Sequence, residues 1–301
     1  MPLAATDAAF EGFRLVRREP KVLIAWALVY LVFAVIQLGA IYLNRDNVAA
    51  GLAVVEGFGN RMPSTPEEFN RMMEGYNQAT SHGLWLLPFS LVIGAVISAA
   101  VSRAVLFPEQ KAYGYLRLGM DEVRVLVITV IVALLSGVGF GAAMMAVAIL
   151  GAIAIMVPIL WIAVGLGVLA AIALFIWLLV KWSLAIPIVM TEKRLAVFES
   201  FRATKGQFWP LLGLAIIAGV LGIVVWALSL VVVMPLSMLS GLGPMGAGNV
   251  SEVLLERLTS GSPMLLLSAC ANAIVSALVV GVFYAPFSAI WRDLKTSHAR
   301  G

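Results

Sequence analysis

The feature that most constrains this chain is a run from Val125 to Val180 that contains no charged residue. At about 56 residues the run is too long for one membrane helix, which needs about 20 apolar residues, and it has room for two. Gly151 and Pro158 mark the turn between them, because both residue types interrupt helices. No soluble core hides two such helices, so the run predicts a protein that spans a membrane.

The composition of the whole chain points to the same class. Of the 301 residues, 62% are hydrophobic and 12% are charged, against roughly 45–50% and 25% in soluble domains. We therefore predict an all-α, polytopic membrane protein that forms a single membrane domain over residues 1–301. Its six predicted transmembrane helices cover 21–43, 84–107, 125–150, 157–181, 208–236 and 264–290.

The basic residues are distributed unequally between the two sides of this arrangement. Six spans put both termini on one side, and sixteen of the twenty Lys and Arg residues lie there. The other four lie in the segments 44–83 and 240–263. Because loops rich in Lys and Arg stay in the cytoplasm, we predict that both termini are cytoplasmic and that these two segments lie on the opposite side, which in a bacterial inner membrane is the periplasm.

Three of the predicted cytoplasmic segments resemble one another and suggest a degenerate internal repeat. In each, an aromatic residue and a basic residue precede a span. Residues 4–18 have helical periodicity, with an apolar face at Phe10 and Phe13. We therefore predict an amphipathic interfacial helix before the span in each copy, interrupted by Gly119 in the second copy. The copies cover 8–24, 112–127 and 196–212.

Basic side chains in these segments are candidate contacts for lipids or for a partner. A juxtamembrane Lys or Arg favours anionic headgroups by about 1 kcal/mol. We expect membrane lipids with anionic headgroups as partners on the cytoplasmic face, and no nucleic acid, because the basic residues are spread over four segments and accompanied by acids. The candidates are Arg14, Arg17, Arg117, Arg202 and Lys205.

The predicted periplasmic segment 44–83 contains a helix-start signature at Thr65 and Pro66, which predicts a helix over 65–79. Its apolar positions have helical spacing. We expect this helix to rest on the protein's own spans, and the alternative is that it binds an envelope protein. The apolar positions are Phe69, Met72, Met73 and Tyr76.

Two strongly polar side chains, Gln37 and Asn272, lie deep in the predicted spans. Asn272 belongs to a strip with Ser268 and Ser276 at four-residue steps. Each amide either bonds across a helix interface or lines the path of a solute, and we favour the interface. His82 lies in a polar flank, where we expect it to be solvated.

The spans show no recognisable catalytic or metal-binding pattern. An intramembrane hydrolase needs a nucleophile with a base, or metal ligands, inside the spans. We therefore predict a protein without enzymatic activity, with no catalytic residues, no metal and no cofactor. The predicted function is that of a lipid-interacting or complex-organising membrane protein. The alternative is a transporter or permease for a lipidic or apolar solute.

The segment from Ala185 to Gly213, together with the ending Ala289–Leu294, resembles a pattern in a group of bacterial six-span proteins. The residues that carry it are Ile186-Pro187, Glu192, Ala196 with Ser200, and Thr204-Lys205-Gly206 before an aromatic, Leu-rich span. The chain is similar in this region to the membrane domain of glycerophosphoryl diester phosphodiesterase and related inner-membrane proteins. The resemblance implies a six-span fold and an inner-membrane location. The catalytic barrel has no counterpart here, so we do not expect the phosphodiesterase activity.

Overall fold

Helix is the only regular structure in the part of the chain that the structure describes. The computed structural model describes residues 5–59, 61–195, 197–239, 256 and 263–298. It is 88% helical with no strand in these residues, which confirms the all-α prediction. The helices are α1 (Ala5–Ala9), α2 (Glu11–Arg18), α3 (Pro20–Leu43), α4 (Arg45–Phe58), α5 (Pro66–Leu106), α6 (Met120–Ala154), α7 (Trp161–Trp182), α8 (Ala185–Glu192), α9 (Glu199–Ala203), α10 (Phe208–Leu239) and α11 (Pro263–His298).

Six helical stretches of the described chain are long and apolar enough to cross a membrane. The molecule is therefore a multi-pass membrane protein, as predicted. Many large apolar side chains on these helices point away from the protein, as lipid-facing side chains do. The stretches are Pro20–Leu43, Pro66–Leu106, Ala112–Ala154, Pro158–Glu192, Phe208–Leu236 and Pro263–Thr296.

The contacts divide the chain into two compact units. Unit 1 comprises Met1–Arg17, Ala95–Val220 and Gly281–Gly301, and unit 2 comprises Arg18–Gly94 and Leu221–Val280. The prediction of a single membrane domain concerns both units together and stays a prediction. Most of the predicted periplasmic segment 240–263 lies outside the described residues, and so does nearly all of 251–258, for which the sequence predicts a helix.

In unit 2, α4 and α5 cross with their backbones in contact. A Cβ atom on Gly51 would lie 2.4 Å from the backbone nitrogen of Ala79 and 2.5 Å from the carbonyl oxygen of Gly75. Gly75 in turn lies against the side chain of Val54. Only glycine fits at such a crossing, so these two residues set how closely the helices approach. The sequence analysis did not predict α4.

The helix predicted over 65–79 begins where expected and ends much later. The backbone N–H of Glu68 donates to Oγ1 of Thr65 at 3.2 Å, as an N-cap requires. The helix then continues through Pro88 to Leu106, so the predicted loop helix and the second span are one helix of 41 residues. Its buried positions near α4 are Gly75 and Ala79, whereas Phe69, Met73 and Tyr76 are exposed, contrary to the expected apolar contact.

In unit 1, the N-terminal segment forms two short helices rather than one. The face that packs inward contains Glu11, Gly12 and Leu15, and Phe10 of the predicted apolar face is exposed instead. A Cβ atom on Gly12 would lie 2.6 Å from the carbonyl oxygen of Gly281, so α2 packs directly on the backbone of α11. Glycine at position 12 therefore decides which face of α2 turns inward.

The second predicted copy of the repeat does not form an interfacial helix. Residues Ala112–Tyr115 make a short 3-10 turn in which Tyr113, Gly114 and Tyr115 have positive φ. The chain then becomes extended at Leu116, and α6 begins only after Gly119. Gly119, which interrupts the sequence pattern, is the N-cap of α6, so only the part of 112–127 that follows it is α-helical.

The third copy resembles the first in having a short helix before a long one. Phe201 on α9 packs edge-on against Trp182 at the end of α7, with ring centroids 4.5 Å apart. The buried Oγ of Ser200 donates to the carbonyl oxygen of Lys181 at 2.6 Å. These contacts dock α9 on the end of α7 before α10 begins.

Candidate ligand-binding cavity

The two intramembrane amides line the same cavity in unit 2. The cavity has a volume of about 690 Å³ and lies between α3, α5 and α11. Gln37 enters it from α3, and Asn272 enters it from α11. Both residues are more than a third exposed, so the cavity is open and the amides are accessible within it.

Neither amide bonds to another side chain or to the backbone in the described part of the chain. The expectation that Gln37 and Asn272 join helices through hydrogen bonds is therefore wrong for both. An amide carries two donors and one acceptor with two lone pairs. Two unpaired amides in one cavity can together hold a polar group by several hydrogen bonds.

The serine strip of α11 faces the same space. Ser268, Asn272 and Ser276 all line the cavity, because residues four apart lie on one face of a helix. The hydroxyl of Ser268 donates to the carbonyl oxygen of Leu265 in its own helix at 2.9 Å. Ser276 makes no such bond among the described residues, so its hydroxyl is available together with the amide of Asn272.

His82 also lines this cavity, which corrects the expectation that it is solvated. Its Nδ1 atom is buried and has no hydrogen-bond partner in the described structure. A buried polar atom without a partner costs about 1–3 kcal/mol. The sequence pattern predicted a helix that ends at residue 79. It therefore did not show that His82 lies on α5, one turn before Leu86 in the cavity wall.

The rest of the described cavity wall is mainly apolar: Tyr30 and Ser90 add two hydroxyl groups, and there is no Asp, Glu, Lys or Arg side chain. Representative wall residues are Phe33, Leu38, Leu86 and Leu265. Ligand sites of 300–1,000 Å³ with mainly apolar walls and a few convergent polar groups are the common form of small-molecule sites. The cavity is thus suited to an amphiphile whose polar part is uncharged.

The five basic residues predicted as lipid or partner contacts are all exposed and all belong to unit 1. Arg14 pairs with Asp7 at 3.1 Å and with Glu11 at 3.4 Å. The other four have no ion pair in the part of the chain that the structure describes. They are Arg17, Arg117, Arg202 and Lys205.

Arg202 acts on a neighbouring acid through its charge. The pKa of Glu199 is lowered below its usual value, first by a hydrogen bond from the side chain of Glu192 and then by the positive charges of Arg194 and Arg202. Arg194 contacts both carboxylates. The surface around α9 therefore carries paired charges as well as basic ones.

One buried ion pair escaped the sequence analysis. Arg103 had been counted only as a juxtamembrane basic residue, but its side chain is almost fully buried against Glu122. The only sequence signal was an isolated Arg within the otherwise apolar, small-residue end of the second span. Its role is structural, because its hydrogen bonds go to Glu122 and to the carbonyl oxygen of Tyr115.

Comparison with known proteins does not assign the chain to a family. No protein-family model, no curated protein and no solved structure matches it. The resemblance of Ala185–Gly213 to the membrane domain of glycerophosphoryl diester phosphodiesterase therefore stays a prediction.

Proposed function

We propose that this multi-pass membrane protein binds a lipid-like amphiphile with an uncharged headgroup in the cavity between α3, α5 and α11. The observation that carries the proposal is that Gln37 and Asn272 line one cavity and have no partner among the described residues. A polar amide within an apolar span is costly unless it has a partner. A bound headgroup supplies that partner.

The chemistry of the wall defines the ligand class. Amide and hydroxyl groups both donate and accept hydrogen bonds, so they suit a headgroup that carries hydroxyl or carbonyl groups. The described wall carries no Asp, Glu, Lys or Arg side chain to balance an ionised headgroup, and an unpaired charge there is costly. The apolar wall residues suit the first part of the acyl chains, which makes a diacylglycerol or a neutral glycolipid the expected type of ligand.

The proposal is tested by native mass spectrometry of the full chain in detergent with dioleoylglycerol. We expect the double variant Gln37→Leu with Asn272→Leu to weaken binding about tenfold or more, because two hydrogen bonds are worth about 0.5–1.5 kcal/mol each. The control is Cys270→Ala, on α11 but outside the cavity wall, which should bind as the unmodified protein does.

Two results would overturn the proposal. One is equal binding of dioleoylglycerol by the double variant and by Cys270→Ala. The other is preferential binding of dioleoylphosphatidylglycerol at this site, lost in the double variant, because the described wall has no Lys or Arg to pair with a phosphate charge. Thermal unfolding of each variant verifies that it is folded.

Transport of the same ligand is a second candidate function, favoured by the openness of the cavity. Gln37 and Asn272 are both accessible from outside the protein. A transporter moves its solute past such groups, whereas a binding protein only retains it. Proteoliposomes that contain a fluorescent diacylglycerol distinguish the two: transport predicts faster exchange between leaflets, slowed in the Gln37→Leu, Asn272→Leu variant.

We also propose that the exposed basic residues of unit 1 contact anionic headgroups at the cytoplasmic face of a bacterial inner membrane. Support comes from the charge asymmetry of the sequence and from the exposure of Arg17, Arg117, Arg202 and Lys205. Exposed basic side chains attract anionic headgroups electrostatically. Dissolved ions screen this attraction, so the interaction weakens as salt is added. This surface interaction is separate from binding in the cavity.

A further inference from the structure

A second cavity lies in unit 1, between α6, α7, α8 and α11. Its volume is about 400 Å³, and its wall is mostly apolar, with residues such as Ile128, Phe175 and Leu179. It has no residue in common with the cavity around Gln37 and Asn272. Nothing in the proposed function depends on it.

Three residues of its wall carry buried polar atoms without hydrogen-bond partners in the described structure. The atoms are Oγ1 of Thr129, Oγ of Ser136 and Nε1 of Trp182. Leaving such an atom unpaired is unfavourable in any protein and more so within a span, where no bulk water replaces the partner. Their grouping around one cavity indicates that its occupant provides the missing partners.

The two hydroxyls differ from other hydroxyls of the chain. Ser98 and Ser183 each donate to the carbonyl oxygen three residues earlier in their own helix, at 3.1 Å and 2.8 Å. Thr129 and Ser136 do not. They have no partner to give up, and each hydroxyl can turn between staggered positions about the single χ1 bond when a ligand binds.

The indole of Trp182 is held in place by α9 and the turn before it. Phe201 packs edge-on against it, and Phe198 lies at a centroid distance of 6.2 Å. The hydrogen bond from Ser200 to Lys181 fixes α9 beside the ring. A donor that is fixed before binding loses little freedom when a ligand binds.

We propose that this cavity binds an uncharged, mainly apolar molecule through a carbonyl oxygen that accepts hydrogen bonds from Trp182 and Ser136. The indole N–H is a donor only, so the ligand must present an acceptor. The described wall has no charged side chain to pair with an ion. Membranes supply this chemistry in two forms, the ketone oxygens of quinones and the ester oxygens of acyl lipids.

The test uses the full chain in detergent, labelled with 5-fluorotryptophan and observed by fluorine NMR. Loss of one signal in Trp182→Phe assigns Trp182 among the eight tryptophans. The probes are decylubiquinone, methyl decanoate and decylbenzene, and decylbenzene has no acceptor. We expect one carbonyl probe to shift the Trp182 signal saturably, and the probe that does so identifies quinone or ester as the ligand form.

Matched variants separate a ligand contact from a packing effect. We expect Ser136→Ala to weaken binding of the active probe about fivefold, the effect of one lost hydrogen bond. Ser229→Ala, at a half-buried serine on α10 outside this cavity wall, and Gln37→Leu should leave it unchanged. Without ligand, Ser136→Ala should not lower the melting temperature, because it removes a hydroxyl that has no partner to lose.

Three results would overturn the inference. The first is that decylbenzene shifts the Trp182 signal as much as the carbonyl probes do. The second is that no probe shifts it, which leaves water as the occupant. The third is that Ser136→Ala and Ser229→Ala bind the active probe equally well.

Discussion

The guanidinium Nη2 of Arg103 lies 2.5 Å from Oε1 of Glu122, and both side chains are almost completely buried. The pair is also hydrogen-bonded to the backbone: Nη1 of Arg103 donates to the carbonyl oxygen of Tyr115 at 2.6 Å, and Oε2 of Glu122 accepts the N–H of Gly119 at 3.0 Å. These bonds join the end of α5, the turn after it and the start of α6. One arginine thus holds the loop that the sequence pattern had assigned to an interfacial helix.

Removing one partner of this ion pair should destabilise the protein strongly. We expect Arg103→Met to lower the free energy of unfolding by about 3–5 kcal/mol, because it leaves the Glu122 carboxylate buried without a counter-charge. The control is Arg124→Met, which removes the more exposed pair with Asp121 and should cost about 0–1 kcal/mol. Equal losses in denaturant unfolding would contradict a dominant role for the buried pair.

The glycine crossing of α4 and α5 predicts opposite effects for two identical substitutions. Gly51→Ala should lower the free energy of unfolding by about 1–3 kcal/mol, because the new methyl group meets the backbone of Gly75 and Ala79. Gly57→Ala on the same helix has nothing within 4 Å and should raise it by about 0.5–1 kcal/mol. Melting temperatures measure both, and a tolerated alanine at position 51 would mean that the helices do not touch there.

The amide of Gln37 should matter for ligand binding and not for folding. We expect Gln37→Leu without ligand not to lower the free energy of unfolding, because the side chain has no partner among the described residues to lose. Thermal unfolding in delipidated detergent micelles provides the measurement. A loss of more than about 1 kcal/mol would restore the original interpretation, a hydrogen bond across a helix interface.

The docking of α9 on α7 should depend on Ser200. Ser200→Ala removes the 2.6 Å bond to the carbonyl oxygen of Lys181 at a fully buried position, at a cost of about 1–3 kcal/mol. Hydrogen–deuterium exchange of a peptide covering 197–207 should then be about fivefold faster or more. In Ser183→Ala, which removes a bond within one helix, exchange of this peptide should be unchanged. The same rate in both variants would rule out Ser200 as the anchor.

The exposed basic residues should govern retention of anionic lipid. Replacing Arg14, Arg17, Arg202 and Lys205 together by Gln should reduce the phosphatidylglycerol retained after purification, most clearly at low salt. The comparison variant replaces Arg45, Arg61 and Arg71, which lie in the segment predicted to be periplasmic. Native mass spectrometry counts the bound lipids. If both variants retain the same amount of phosphatidylglycerol, lipid retention does not depend on which side of the membrane the basic residues occupy.

The spans were predictable because the free energy of inserting a segment into a bilayer follows from the residues of that segment alone. The uncharged run from Val125 to Val180 predicts two spans by its composition alone. Its turn falls between Ala154 and Trp161, near the predicted Gly151 and Pro158. By contrast, α4 has a mixed sequence whose helix is stabilised by contact with α5. Such contacts depend on residues far apart in the chain, here Gly51 and Gly75, and periodicity in one segment does not reveal them.

For the candidate site, sequence reasoning identified the residues but not their arrangement. Gln37 and Asn272 were conspicuous because amides are rare in apolar spans, and the strip with Ser268 and Ser276 follows from helical spacing. Their convergence depends on how α3 and α11 pack, which no local pattern encodes. His82 was misjudged for a related reason: the continuity of α5 through Pro88 moved it from a solvated flank to the cavity wall.

The length of α5 bears on where its exposed apolar residues Phe69, Met73 and Tyr76 lie relative to a bilayer. A helix of 41 residues is about 60 Å long, twice the hydrocarbon thickness of about 30 Å. Measured along the helix, Phe69 lies about 22 Å from Leu84, where the apolar run begins. The headgroup layer on each side is only about 5–8 Å thick. On a helix that crosses the bilayer upright, Phe69, Met73 and Tyr76 would therefore lie beyond the headgroup layer and face the aqueous space.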